Sequence, residues 1–165
     1  MKELTLQLFD YHFWANEKLL QHLQGLPKGI YLSKVESVFP SIAETFGHMV
    51  AADEVWYSRL KGESLSQLAT KKFRSIEETS IVSAALYNEI KHFLTKTENF
   101  ERMIHYNNMK GDPFNNKMSE IVHHMVNHGT YHRGNISAMI RQMGFEGIST
   151  DYIVYLRIKH NQVMP

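Results

Sequence analysis

The chain has 165 residues, 43% hydrophobic and 21% charged, a balance that suits one domain able to bury about two thirds of its unfolded surface without a staple. It has no cysteine, which excludes a disulfide framework, a cysteine-bearing zinc finger, an iron–sulfur cluster and a cysteine nucleophile. A net charge of +1, from 18 basic against 17 acidic residues, gives no long-range pull toward nucleic acid or an anionic membrane.

No run of 18 apolar residues occurs, and Met1-Lys2-Glu3 opens an amphipathic stretch in place of a signal-peptide core, so a cytoplasmic protein is expected. Between the prolines at 27, 40, 113 and 165, helical periodicity dominates. A first helix is predicted from Glu3 to about Gln24 on the stripe Leu4, Leu8, Tyr11, Ala15 and Leu19, stopped by Gly25, Pro27 and Gly29. A second opens after Pro40 with the capping box Ser41-Ile-Ala-Glu44 and runs to Leu60, before Gly62. A third starts from Ser75-Ile-Glu-Glu78 and continues through Leu86, Ile90, Phe93 and Leu94 to near Phe100.

From Arg102 to Lys117 the period fails around Gly111-Asp112-Pro113, which predicts a short extended excursion or hairpin. A fourth helix follows to Met143 and stops at Gly144; a short fifth begins near Ser149-Thr150-Asp151. With no repeat and no dividing linker, residues 1–165 read as one all-α helical-bundle domain.

Ten histidines stand out, four of them between His123 and His132. His124, His128 and His132 recur every four residues, each step advancing about 40° and about 6 Å, so neighbours face one way. Two imidazoles four apart can share one metal ion, whereas the outer pair lies about 12 Å apart. A third ligand must come from another helix. The histidine pair is expected on an inward stripe with Met125, Tyr131 and Ile136, where unpartnered imidazoles are costly. Gly129 and Gly134, unfavourable inside a helix by about 1 kcal/mol each, point to a close approach. His48, beside Gly47 and on one stripe with Glu44, Ala52, Val55 and Trp56, is a candidate third ligand.

Ser41 to Leu60, with His48, Ala52-Asp53 and Trp56, resembles the second helix of the DinB/YfiT-like four-helix-bundle family of metalloproteins. Asn127-His128-Gly-Thr-Tyr-His132-Arg133-Gly134-Asn135 resembles its most specific signature, with Asn135 in place of the more usual Gln. Tyr11-His-Phe-Trp14-Ala15-Asn16 and Thr150-Asp151-Tyr152-Ile153 are similar to its first and last helices, while 62–117 matches only in helical pattern. The resemblance implies an up-down-down-up bundle, usually homodimeric, with one divalent metal on His48, His128 and His132. Zinc or nickel are the first choices, and iron or manganese also suit the donors.

It also implies a metal-dependent enzyme of the thiol-dependent transferase or hydrolase type, acting on a small-molecule substrate. Some relatives use a low-molecular-weight thiol such as bacillithiol, mycothiol or a glutathione-like cosubstrate. The family name refers to DNA-damage induction, which adds a stress response to these expectations; nothing resembles the like-named DNA polymerase. Three protein ligands leave a position open on a tetrahedral ion.

Candidates for work beside the metal are Glu44, one turn before His48; His124, one turn before His128; and Asn16, which can bond a ligand histidine or a substrate. Arg133, about 100° from His132, is expected in an ion pair. A di-iron centre built on Glu89-x-x-His92 and Glu120-x-x-His123 has the right spacing but points away from the interior. Lys71-Lys72-Phe73-Arg74 is too short for a nucleic-acid stripe and reads as a solvated loop. The remaining alternative is a non-catalytic metal-binding or stress-associated dimeric scaffold.

Overall fold

The structure is a computed structural model that describes residues 1–63 and 69–162. Its elements are α1 (Lys2–Gln24), a single 3-10 turn (Ile30–Leu32), α2 (Ile42–Leu60), α3 (Ile76–Lys96), strands β1 (Met103–Asn107) and β2 (Pro113–Lys117), α4 (Met118–Gln142) and α5 (Tyr152–Lys159). This is an all-α four-helix bundle with a short fifth helix. The strands pair antiparallel, Met103 opposite Lys117 and Asn107 opposite Pro113, so the stretch without helical period is a hairpin. No helix among the described residues is long and apolar enough to cross a membrane.

Local chemistry sets the helix ends. Ser41 Oγ accepts the Glu44 N–H at 3.1 Å, and Ser75 Oγ accepts the Glu78 N–H at 3.1 Å. The return half of each box is altered: Glu44 takes a 3.5 Å contact from the Ser41 hydroxyl, and Glu78 reaches past its cap to the Arg74 N–H at 2.8 Å. At the start of α4, where Lys117 holds the cap position in place of a Ser or Thr, the Glu120 carboxylate accepts the Lys117 N–H at 3.0 Å. The third helix ends before Phe100, because Thr97 turns extended; Phe100 is instead a buried anchor of the loop into β1.

Side-chain contacts fix the helix directions. Thr5 meets His123 and Asn16 meets Arg133, so α1 and α4 run parallel. On α2, His48 faces His132 while the later Trp56 faces the earlier His124, so α2 runs against α4. Lys2 bonds the Thr95 carbonyl and Phe13 stacks on Tyr87, so α3 runs against α1. The order is up-down-down-up.

Two apolar clusters fill the ends of the bundle. One holds Leu19, Leu23, Ile42, Phe46, Ile136 and Met139; the other holds Phe9, Leu60, Leu94, Met118, Val122 and Met125. On α1, α2 and α4, the polar residues between the two are His12 and Asn16, Asp53, and His128, His132 and Arg133, beside a third, smaller apolar group of Tyr11, Ala15 and Val126. The bundle therefore carries a polar belt at mid-height. The buried side of α1 is wider than the expected stripe: Tyr11, Ala15 and Leu19 are buried as expected and Leu4 is 52% exposed, while Thr5, Phe9, His12 and Asn16 are buried as well. Tyr131, expected inward, is 59% exposed. The basic loop is only partly solvated, since Phe73 is buried and Lys71 pairs with Glu54 at 2.7 Å. The Lys71 carbonyl comes so near Gly47 that a Cβ there would lie 2.0 Å from its oxygen.

Candidate metal centre

His48 enters the belt from the second turn of α2, and His128 and His132 enter it from the middle of α4. His128 Nε2 lies 3.1 Å from His48 Nε2 and 3.1 Å from His132 Nε2. One donor atom from each ring falls within 4.8 Å of the other two; among the described residues this is the group whose donors could hold a metal ion. A neutral imidazole has one N–H, so the single Nε2 of His128 cannot make two good hydrogen bonds at once. Nitrogens bound to one tetrahedral ion at about 2.05 Å would stand about 3.3 Å apart, close to the spacing here.

Burial pushes the pKa of His128 and His132 down to about 4, with help from the neighbouring imidazoles, and burial lowers that of His48. The rings thus keep their lone pairs at neutral pH, and the donor set fits a divalent cation. His132 Nδ1 is buried with no partner among the described residues; with Nε2 turned to a cation, it carries that ring's proton unanswered.

Phe39, in the loop before α2, covers one side of the cluster, its ring 4.7 Å from that of His48 and 5.6 Å from that of His132. The other side opens into a cavity of about 480 Å³, walled by His48 and His128, by Trp56 and Arg59 of α2, and by the hairpin. Sequence reasoning missed Phe39 and Arg59. Only the position of Phe39, just before Pro40 and the Ser41 cap, hinted that it folds back over the helix start.

The other candidates lie elsewhere or closer by. Glu44 is exposed and serves the start of α2. Asn16 does not reach the three histidines: its Oδ1 accepts from Arg133 at 2.9 Å. His124 does line the cavity, its ring 6.0 Å from His128 and 4.7 Å from Trp56. Burial first, then the Arg59 charge, lower its pKa. For the di-iron alternative, Glu89 and His92 are exposed, Glu120 caps α4, and His123 turns to Thr5 of α1.

Arg133 corrects the expected ion pair. It is 2% exposed, and no carboxylate oxygen among the described residues lies within salt-bridge distance. Its guanidinium donates to Asn16 Oδ1 at 2.9 Å, Thr130 Oγ1 at 2.8 Å and Tyr11 Oη at 3.4 Å. His12 stands between it and the nearest carboxylate: Nε2–H donates to Asp53 at 3.1 Å, which leaves Nδ1 to face Arg133 at 3.4 Å. Gly129 makes room for that ring, since a Cβ there would fall 2.2 Å from His12 Cε1. The expected close approach thus exists at Gly129, whereas Gly134 faces open space.

Comparison with known proteins agrees with this architecture. The Protein DinB of Bacillus subtilis (strain 168) is 35% identical over 164 residues, spanning 94% of this chain and 95% of the relative. The crystal structure of a DinB-like protein from Bacillus cereus ATCC 10987 shares the fold, with a TM-score of 0.66 over 88% of this chain and 94% of that one, at 17% identity. Residues 1–163 match the DinB family, and the chain belongs to it.

Proposed function

We propose that the chain is a metal-dependent enzyme in which His48, His128 and His132 hold one divalent ion, zinc or nickel, and a small-molecule substrate enters the cavity beside them. The observation that carries this reading is the convergence of three ring nitrogens, those of His48 and His128 on the wall of an open cavity, with Phe39 closing the opposite side. A divalent ion there would act as a Lewis acid and favour the deprotonated form of a bound thiol or water.

Of the two reaction types, thiol-dependent transfer fits the residues better than hydrolysis. Hydrolysis calls for a general base, and neither candidate carboxylate is free to serve, since Glu44 is occupied at the start of α2 and Asp53 by His12, so that role would fall to His124 alone. The chain has no thiol of its own, so the nucleophile would arrive on a low-molecular-weight cosubstrate. His124, neutral at pH 7 and one turn from His128, is placed to take up a proton in the cavity.

The deciding experiment is metal content by mass spectrometry on tag-free protein, wild type beside His128→Ala. The expected result is near one equivalent in the wild type and loss in the variant. A wild type that stays empty after reloading with zinc, nickel and manganese overturns the reading. Metal that binds but never accepts exogenous thiol or azide leaves a metal-binding scaffold in its place.

A further inference from the structure

The cavity beside the three histidines contains a charge that the bundle leaves unanswered. Arg59, in the last turn of α2, is 5% exposed. Its guanidinium carbon lies 4.3 Å from the Trp56 ring centroid and 4.8 Å from that of Tyr106, two rings that meet edge to face at 78°, so the cation sits in the corner they form. Among the described residues, one of its five N–H groups is directed to a partner, the Asn107 carbonyl at 3.3 Å, and Nε is buried with none.

No carboxylate among the described residues pairs with Arg59, and 64–68, Ser-Leu-Ser-Gln-Leu, contain no acidic side chain. The contrast with Arg133 is plain, for three oxygens converge on that guanidinium. Burial works against the charged form of Arg59. A buried cation without a counter-charge is costly, and a Leu or Met would fill the same volume against Trp56 without that cost.

The cavity around Arg59 repeats the imbalance. Lys110 of the hairpin turn also lines it, and among its described lining residues there is no Asp or Glu. The lining also includes the apolar Ala52, Val55, Phe114 and Met109, with Asn108 beside Lys110 in the hairpin turn. Arg59 follows His48 by eleven residues, about 16 Å of helix, which the lean of side chains toward the helix N-terminus shortens.

We propose that Arg59, with Lys110 at the rim, forms an anion subsite, and that the cavity receives an elongated molecule whose carboxylate or phosphate meets Arg59 while its other end meets the three histidines. The second half of that statement rests on the function proposed above; the anion subsite does not. A guanidinium lodged in the corner of two rings is held in place for an oxyanion, and an apolar middle of the ligand would lie along Val55 and Phe114.

The test uses metal-free full-length protein. The chain has two tryptophans, so a Trp14→Phe background leaves Trp56, against Arg59, as the reporter. Its fluorescence is followed during titration with succinate and, separately, inorganic phosphate, against sodium chloride at equal ionic strength. A saturable response beyond that of chloride is expected. Arg59→Gln should weaken it about tenfold, and Lys110→Gln about threefold. Arg59→Lys, which keeps the charge and the stem, should fall between wild type and Arg59→Gln.

The tighter of the two anions identifies the headgroup chemistry. Absence of any saturable response in the wild type overturns the proposal. So does unchanged affinity in a folded Arg59→Gln, which would make Arg59 a bolt between α2 and the hairpin. If Arg59→Gln does not fold, unchanged affinity in both Arg59→Lys and Lys110→Gln overturns it equally. Since no metal is present, a protein that binds anions but no metal sinks only the function proposed above, and the reverse result sinks only this inference.

Discussion

His128 and His132 make an unusual demand on the folded state, because each keeps its ring neutral far below the ordinary histidine range. In the unfolded chain both titrate near 6.5; in the fold burial moves them to about 4. The unfolded state therefore binds more protons between those values, so metal-free protein keeps its stability above pH 6.5 and loses it as pH falls toward 4. Urea unfolding of chelator-treated protein at several pH values should show the midpoint dropping through that window. The drop should be smaller in a His128→Gln, His132→Gln double variant, and equal slopes for the two proteins would count against this account.

These rings were legible in the sequence because the four-residue spacing and a glycine between them survive any uncertainty in helix rotation. Arg59 was not. In sequence it is one more cation in the last turn of a helix, where the macrodipole favours a positive charge. Its partners, Tyr106 and the Asn107 carbonyl, come from a hairpin more than 40 positions away.

Among the elements, α4 offers a matched pair of tests. At Gly129 an added methyl would meet the His12 ring, which is 3% exposed and tied to Asp53, so neither partner has room to retreat. Alanine gains about 1 kcal/mol of helix propensity there, but the overlap outweighs it, and Gly129→Ala should lose about 1–3 kcal/mol net. At Gly134 nothing lies within 4 Å, so Gly134→Ala should gain up to about 1 kcal/mol. Chemical denaturation of both variants settles the matter, and effects of the same sign would contradict the close approach at Gly129.

The helices themselves, the Ser41 and Ser75 caps and the hairpin around Gly111-Asp112-Pro113 follow from local chemistry, and local chemistry is what a sequence states most directly. The full width of the buried face of α1 does not. Tyr11, Ala15 and Leu19 are buried as hydrophobicity marks them, yet the helix also turns His12 and Asn16 inward because Asp53 and Arg133 satisfy them. Those partners lie 41 and 117 positions away, beyond the reach of any periodicity. The 3-10 turn at Ile30–Leu32 escaped for a simpler reason: three residues after Gly29 are too few to show a period.

At the scale of the whole molecule, the polar belt separates two apolar ends, and the ion would tie α2 to α4 across that belt. A metal at 100 times its dissociation constant should stabilise the fold by about 2.7 kcal/mol, provided it binds only the folded chain. For a domain of this size that corresponds to a rise in Tm of roughly 5–10 °C. Thermal unfolding with and without zinc or nickel measures it, and His48→Ala should abolish the shift. An equal shift in His48→Ala would place the ion elsewhere.

The three histidines also come off the ribosome at very different moments. His48 is made 80 residues before His128. At about 5–20 residues per second it waits roughly 4–16 s for the rest of its cluster to be synthesised. Until then no nascent chain carries more than one ring of the three, and a lone imidazole holds a divalent ion weakly. Choice of metal is therefore deferred to the finished chain, and the ions free in its surroundings at that moment compete for the three nitrogens together.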